Sequence, residues 1–272
     1  MVSSVITGRS WRTAFASSIG TSHQKNGTPC QDAGACRVVK AADGTEVLVA
    51  AVSDGAGTAK RSDVGSALVV ESFLERFALA GAASSDLKTV DHAFVEEWFD
   101  EVRDAIGARA VQDGAEPNEY ACTLLGAVVG PSMAAYVQIG DGAIVVSTAE
   151  AQGYSWIFWP QHGEYANSTY FITQDGAERV LQFEVQPAMD QIALFSDGIE
   201  RLVLDMSART VHGPAFQPIF EWLAGTEPDY SGCVSPGLLA YLDSDHVNRR
   251  TDDDKTLVMA TRALPPARTV LP

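Results

Sequence analysis

The sequence predicts an α+β fold in which antiparallel sheet carries helices stacked outside it. Three observations lead there. Apolar runs of strand length recur along the chain, the two long segments of helical periodicity lie together instead of alternating with strands, and Asp-Gly turns separate several strand-like runs. The 272 residues are 46% hydrophobic and 20% charged, enough to build one large core. No Pro/Ser/Gly-rich linker divides them, so residues 1–272 are expected to form a single domain.

Each element follows from local pattern. Trp11–Ser18 alternates weakly through Trp11, Thr13 and Phe15 and reads as a strand, whereas Gly20–Pro29 is polar and turn-rich. Cys36–Lys40 and Glu46–Ser53 flank Asp43-Gly44, a hairpin signal. Val47–Val52 contains no polar residue, which predicts a strand buried on both faces. Ser62–Ala80 repeats apolar residues every three or four positions, with Ser62 or Asp63 as its cap, and Val90–Ala110 carries the stripe Val95, Trp98, Val102, Ile106. Strands return at Ala121–Val129, Ala134–Ile139 and Ala143–Ser147, followed by an aromatic stretch, Tyr154–Trp159. Tyr165–Gln174 and Arg179–Val185 read as a hairpin turning at Asp175-Gly176. Gln191–Phe195 is a buried strand, residues 199–250 are helix and loop, and Thr256–Thr261 is the last strand.

Charge excludes some functions. With 19 Lys+Arg against 35 Asp+Glu, the net charge of −16 repels nucleic-acid backbones and anionic lipid, so neither is expected as a general partner. A phosphate ester could approach such a chain only where cations or local basic groups offset the repulsion. The apolar runs fall short of the roughly 20 residues of a membrane helix. Met1–Gly8 has no basic segment followed by an apolar one, and the four cysteines form no C-x-x-C pair. A cytoplasmic location with reduced thiols is the expectation.

The chemistry lies in acidic residues at strand ends. Of six Asp-Gly dipeptides, Asp43-Gly44, Asp113-Gly114 and Asp175-Gly176 fall in polar loops, where turn formation accounts for them. Asp54-Gly55, Asp141-Gly142 and Asp197-Gly198 each follow an apolar strand, and Asp252-Asp253-Asp254 lies just ahead of another. Carboxylates on so rigid a scaffold lose hydration and need partners. Hard oxygen ligands suit Mg²⁺ or Mn²⁺, and the shortage of His and Cys argues against zinc. Turn-forming Asp-Gly with capping carboxylates gives the same pattern without a metal.

The strings SDGAG (Ser53–Gly57), GDG (Gly140–Gly142), FSDG (Phe195–Gly198) and DDDKT (Asp252–Thr256), in that order and spacing, resemble the protein phosphatase 2C family, bacterial branch, over about residues 11–261. GTSHQKNGTPCQDA (Gly20–Ala33) is similar to the first motif of that family. The resemblance implies an α-β-β-α sandwich, two antiparallel sheets flanked by helices, with a centre of two Mn²⁺ or Mg²⁺ ions. It implies that Asp54 bridges both metals, that Gly55 offers its carbonyl, and that Asp197 and Asp253 complete the first metal site. Asp32 would act through metal-associated water, and Asp141 would contribute to a third, weaker metal site. The implied activity is hydrolysis of phosphoserine or phosphothreonine in a protein partner, a kinase or its target, by a hydroxide bridging two cations.

Three departures mark this chain. His23 stands where the family has a phosphate-clamping arginine, and imidazole does not replace a bidentate guanidinium one-for-one. Lys25, Arg9, Arg12 and Arg61 are the nearby cations that could serve instead. Gln31 replaces a glutamate, and Ala56-Gly57-Thr58 lacks the histidine that serves some members as general acid. A pseudophosphatase that keeps the fold and binds without turnover is the alternative reading. A haloacid dehalogenase-type enzyme would need D-x-D after the first strand, which Ser53-Asp54-Gly55-Ala56 does not supply.

Overall fold

The computed structural model describes residues 10–147, 153–161, 169–227 and 233–263. In chain order the first elements are β1 (Ser10–Ser18), α1 (Thr21–Asn26), β2 (Ala33–Lys40), β3 (Glu46–Ser53), α2 (Ser62–Ala83) and α3 (His92–Asp113). There follow β4 (Leu124–Val129), β5 (Met133–Ile139), β6 (Ala143–Ser147), β7 (Ser155–Trp156), β8 (Gln182–Pro187) and β9 (Gln191–Phe195). The chain continues through α4 (Glu200–Val203), β10 (Leu204–Asp205), β11 (Thr210–Val211), α5 (Gly213–Ala224), α6 (Pro236–Leu242), α7 (Asp245–Asn248) and β12 (Lys255–Ala263).

Two five-stranded antiparallel sheets result, ordered β1-β12-β9-β6-β7 and β2-β3-β4-β5-β8, with β10 and β11 forming a small separate ribbon. Period-two alternation divides their side chains among three apolar layers. Leu48, Ala50 and Val52 of β3 join Leu194, Val258 and Ala260 between the sheets. Val47, Val49 and Ala51 point the other way, against Phe73, Phe77 and Trp98 of α2 and α3. That two-sided burial is why β3 shows no polar alternation. On the far side Ala193, Phe195, Leu257 and Met259 pack against Phe216, Phe220 and Leu242 of α5 and α6. The expected α-β-β-α order is therefore present.

The aromatic centre of the α2–α3 layer is tightly arranged. Phe73 and Phe77 stack with ring centroids 3.9 Å apart, and Trp98 meets Phe73 edge-on at 5.3 Å. Asp91 caps α3 by accepting from Phe94 N–H at 2.9 Å. Among the described residues no helix is long and apolar enough to cross a membrane.

Local expectations needed correction in three places. Residues within Gly20–Pro29 form α1, which buries no side chain and so carries no apolar stripe to betray it. Arg61, not Ser62 or Asp63, precedes α2, and no side chain caps that helix. The hairpin expected at 165–185 is absent among the described residues. Residues 171–180 are turns with a short 3₁₀ segment at Ala177–Arg179, and β8 pairs with β5 instead. Residues 162–168 of that expected hairpin lie outside the described residues. Ile172 is fully buried and its N–H donates to the Cys122 carbonyl at 2.9 Å, so this segment is tied to the sandwich by packing.

Candidate metal centre

The antiparallel registers bring one end of every relevant strand to one edge of the sandwich. Ala33 faces Ser53, Leu124 faces Ile139, and Phe195 faces both Leu257 and Ala143. Asp32 thus precedes β2 beside Asp54, which follows β3. Asp197 follows β9 beside Asp253, which precedes β12, and Asp141 follows β5.

A cleft at this edge is lined by Asp54, Gly55, Asp141, Asp197 and Asp253, together with His23, Gln31 and Thr123. Asp32, 8% exposed, does not line it but lies buried beside it, accepting from Ser196 Oγ at 2.7 Å. Ser196 Oγ in turn accepts from Thr256 N–H at 3.0 Å, which joins the β9 and β12 ends. The backbone of Asp54 is held from both sides by Thr123. Asp54 N–H donates to Thr123 Oγ1 at 2.9 Å, and Thr123 N–H donates to the Asp54 carbonyl at 2.8 Å.

The glycines of the Asp-Gly pairs are explained by close approach. A Cβ on Gly55 would lie 2.6 Å from the Gln31 carbonyl oxygen, and one on Gly198 would overlap the Asp254 carbonyl. These pairs are strand-end junctions where backbones touch, which separates them from the turn-forming pairs.

Burial raises the carboxyls of Asp32, Asp54, Asp141, Asp197 and Asp253, and neighbouring charges reinforce it in most of them. Asp32 is pushed up to about 7, by loss of solvent first and by Asp254 and Asp197 after that, with Ser196 Oγ opposing. Asp54 is held well above the usual carboxylate range by burial and then by the charges of Asp32 and Asp197. Asp141, Asp197 and Asp253 are raised too, burial leading in each case, followed by a facing carboxylate for Asp197 and Asp253. Asp54 also interacts directly with the Asp197 carboxyl, which raises Asp54 further.

Such a cluster is suited to divalent cations. Gln31 Oε1 is buried with no hydrogen-bond donor, and so is Glu200 Oε1, both beside the carboxylates. An acceptor without a donor among like charges is what a hard cation would satisfy. Among the described residues no group of three His, Cys, Asp or Glu side chains stands in position to hold an ion by itself. Mg²⁺ characteristically uses one or two carboxylates and keeps several waters, so a closed cage of side chains is not required. The residues present fit divalent cations that keep part of their water.

The cations considered as replacements for a clamping arginine lie elsewhere. Arg12 Nε donates to the Thr226 carbonyl at 2.6 Å, Arg61 pairs with Glu119 at 2.6 Å, and Lys25 is exposed. Arg9 lies outside the described residues. His23 does reach the cleft.

Two residues escaped the sequence reading. Asp254 is 3% exposed and accepts from Gly20 N–H at 2.6 Å, from Gln31 N–H at 2.5 Å and from His23 Nδ1 at 2.9 Å. Its signal was a third acid at the head of a buried strand. Glu200, at the start of α4, is pushed up to about 7 by burial and then by Asp197 and Asp141. Nothing in its spacing marked it. Cys30 is a suppressed thiol, raised first by burial and then by Asp32 and Asp254, which argues against redox reactivity. In the aromatic stretch, Ile157 and Phe158 join the inter-sheet core and Tyr154 packs on Phe216 and Phe220, while Phe171 lines the cleft.

The protein-family model described as protein phosphatase 2C matches residues 19–242. Over 252 residues the chain is 34% identical to serine/threonine-protein phosphatase 3 of Escherichia coli (strain K12), covering 92% of this chain and 98% of that one. Among solved structures, serine/threonine phosphatase Stp1 from Staphylococcus aureus superimposes with a TM-score of 0.60 at 16% identity, covering 93% of this chain and 96% of that one. The catalytic domain of the serine/threonine protein phosphatase PstP, in complex with two manganese ions, gives 0.58 at 19% identity, covering 92% and 97%.

Proposed function

This chain belongs to the protein phosphatase 2C family, and from that premise we propose that it is a cytoplasmic, Mn²⁺- or Mg²⁺-dependent phosphatase acting on phosphoserine and phosphothreonine in a protein substrate. The observation that carries this reading is the convergence of Asp54, Asp197 and Asp253 from three strand ends onto one cleft, next to the undonated Gln31 Oε1. Asp54, Gly55, Asp197, Asp253 and Asp32 would hold two cations, with Asp141 contributing to a third, weaker site. When bound, the cations would lower the pKa of the attacking water and screen the phosphoryl charge. This answers the repulsion expected from the net charge of −16.

The chain's own residues do the rest. Thr123 fixes the Asp54 backbone, and Ser196 orients Asp32. Thr169 and Phe171 complete the cleft where a substrate enters. A phosphorylated Ser/Thr kinase, or the target of one, is the class of partner the chemistry fits, and residues 1–272 act as one catalytic domain.

The test is turnover. With Mn²⁺ the purified protein should hydrolyse p-nitrophenyl phosphate and a phosphothreonine peptide, and EDTA or Asp54→Ala should abolish both. Turnover that survives Asp197→Ala would refute the site. Absence of turnover at full metal loading would favour the pseudophosphatase.

A further inference from the structure

A leaving serine or threonine oxygen must gain a proton as its bond to phosphorus breaks, and Ala56-Gly57-Thr58 after the first Asp-Gly supplies no side chain to give it. The cleft nevertheless contains an imidazole, and its surroundings are built. His23 lies on α1, whose start is pinned to the loop ahead of β12. Ser22 donates to the Asp252 carbonyl through both N–H, at 2.9 Å, and Oγ, at 2.7 Å. A Cβ on Gly20 would lie 2.5 Å from the Asp252 carbonyl oxygen, so only glycine permits this approach.

Against that frame Asp254 is an immobile anchor. Its Oδ1 accepts from Gly20 N–H, and its Oδ2 accepts from Gln31 N–H and faces His23 Nδ1 at 2.9 Å. A carboxylate can only accept, so Nδ1 must carry a proton. The side chains of His23 and Asp254 are 16% and 3% exposed, and His23 also lines the cleft shared with Asp54 and Asp253. Nε2 is then the ring atom left for a ligand.

We propose that His23 is the general acid of the reaction and Asp254 its positioning residue, a proposal that rests on the phosphatase reading above. The ring is held by Asp254 through Nδ1 in the way a buried carboxylate holds the histidine of a hydrolase triad. Water attacks phosphorus and gives up one proton to solvent, the bond from phosphorus to the serine oxygen breaks, and its electron pair stays on that oxygen. Nε2–H delivers the proton that makes the serine hydroxyl, and solvent returns a proton to His23. Asp254 holds the ring from the β12 side, and Asp54, Asp197 and Asp253 line the same cleft. Lys255, whose Nζ donates to Asn248 Oδ1 at 2.6 Å, backs the same loop. A single ring donor cannot reproduce the two-pronged grip of a guanidinium, which separates this role from a phosphate clamp.

Leaving-group dependence tests the proposal. Nitrophenolate departs without a proton at neutral pH, whereas a serine alkoxide does not. His23→Asn should lower kcat on a phosphoserine peptide by about 10²–10³-fold, as loss of a general acid does, and by far less on p-nitrophenyl phosphate, whose leaving group needs no proton. Asp254→Asn should show the same asymmetry, about tenfold on the peptide. Thermal melting and Mn²⁺ titration of both variants report whether fold and metal centre persist. Equal losses on the two substrates, or a rise in KM with kcat intact, would overturn the proposal in favour of a clamp or a structural role. So would an undiminished rate on the peptide. A wild-type protein inert toward p-nitrophenyl phosphate would instead refute the phosphatase reading itself.

Discussion

Without a cation, the carboxylate cluster should make this protein less stable as pH rises. Asp32 has its folded pKa raised from 3.8 to about 7. A carboxyl whose pKa is higher in the folded state supports folding while protonated. That contribution is complete below about pH 4 and is lost as pH climbs through 7. Three pKa units correspond to about 4 kcal/mol at most. For a chain of 272 residues the unfolding entropy is near 0.6 kcal/mol per kelvin, which converts that loss into a fall in Tm of about 7 °C. Glu200, raised to about 7, adds in the same direction. The assay is differential scanning fluorimetry in EDTA between pH 5 and 8, a window that holds about two of those three units, about 2.7 kcal/mol or about 5 °C, repeated with Mn²⁺ and with Asp32→Asn. Mn²⁺ at 100 times its Kd should restore about 2.7 kcal/mol at the alkaline end. Asp32→Asn, which cannot ionise, should flatten the apo slope. An apo Tm that is level or rising across this range, or a slope unchanged in Asp32→Asn, would refute the reasoning.

Three further outcomes follow from the same geometry. Thr123→Val removes the hydroxyl that holds Asp54 N–H, so Mn²⁺ affinity by calorimetry should weaken by about 10–100-fold while the fold persists. Gly198→Ala forces a methyl into the Asp254 carbonyl; denaturant melts should show a loss of about 1–3 kcal/mol or more, together with impaired metal binding. Phe73→Ala, far from the site, should cost about 3–5 kcal/mol of stability with kcat preserved in the protein that remains folded.

The fold was legible wherever burial imposed a period. The two-faced apolar run of β3 and the stripe of α3 are direct imprints of the layers they touch. The hairpin expected around Asp175-Gly176 failed for the opposite reason, since Ile172 is buried by a tertiary contact and not by strand pairing. Helix α1 was invisible because it buries nothing and is held by backbone contacts to Asp252. In the site, the aspartates were legible because each terminates an apolar strand. Asp254 was less so, being one of three consecutive acids whose roles only register distinguishes. Glu200 became visible only once α4 placed it against Asp197 and Asp141.

Cations bound where the strand ends meet are the centre of this mechanism, and anomalous diffraction from crystals soaked in Mn²⁺ tests that most directly. The mechanism predicts two manganese peaks in the cleft bounded by Asp54, Gly55, Asp197 and Asp253, both lost in Asp54→Ala. Peaks confined to surface carboxylates, or an empty cleft in crystals whose enzyme turns over, would contradict it.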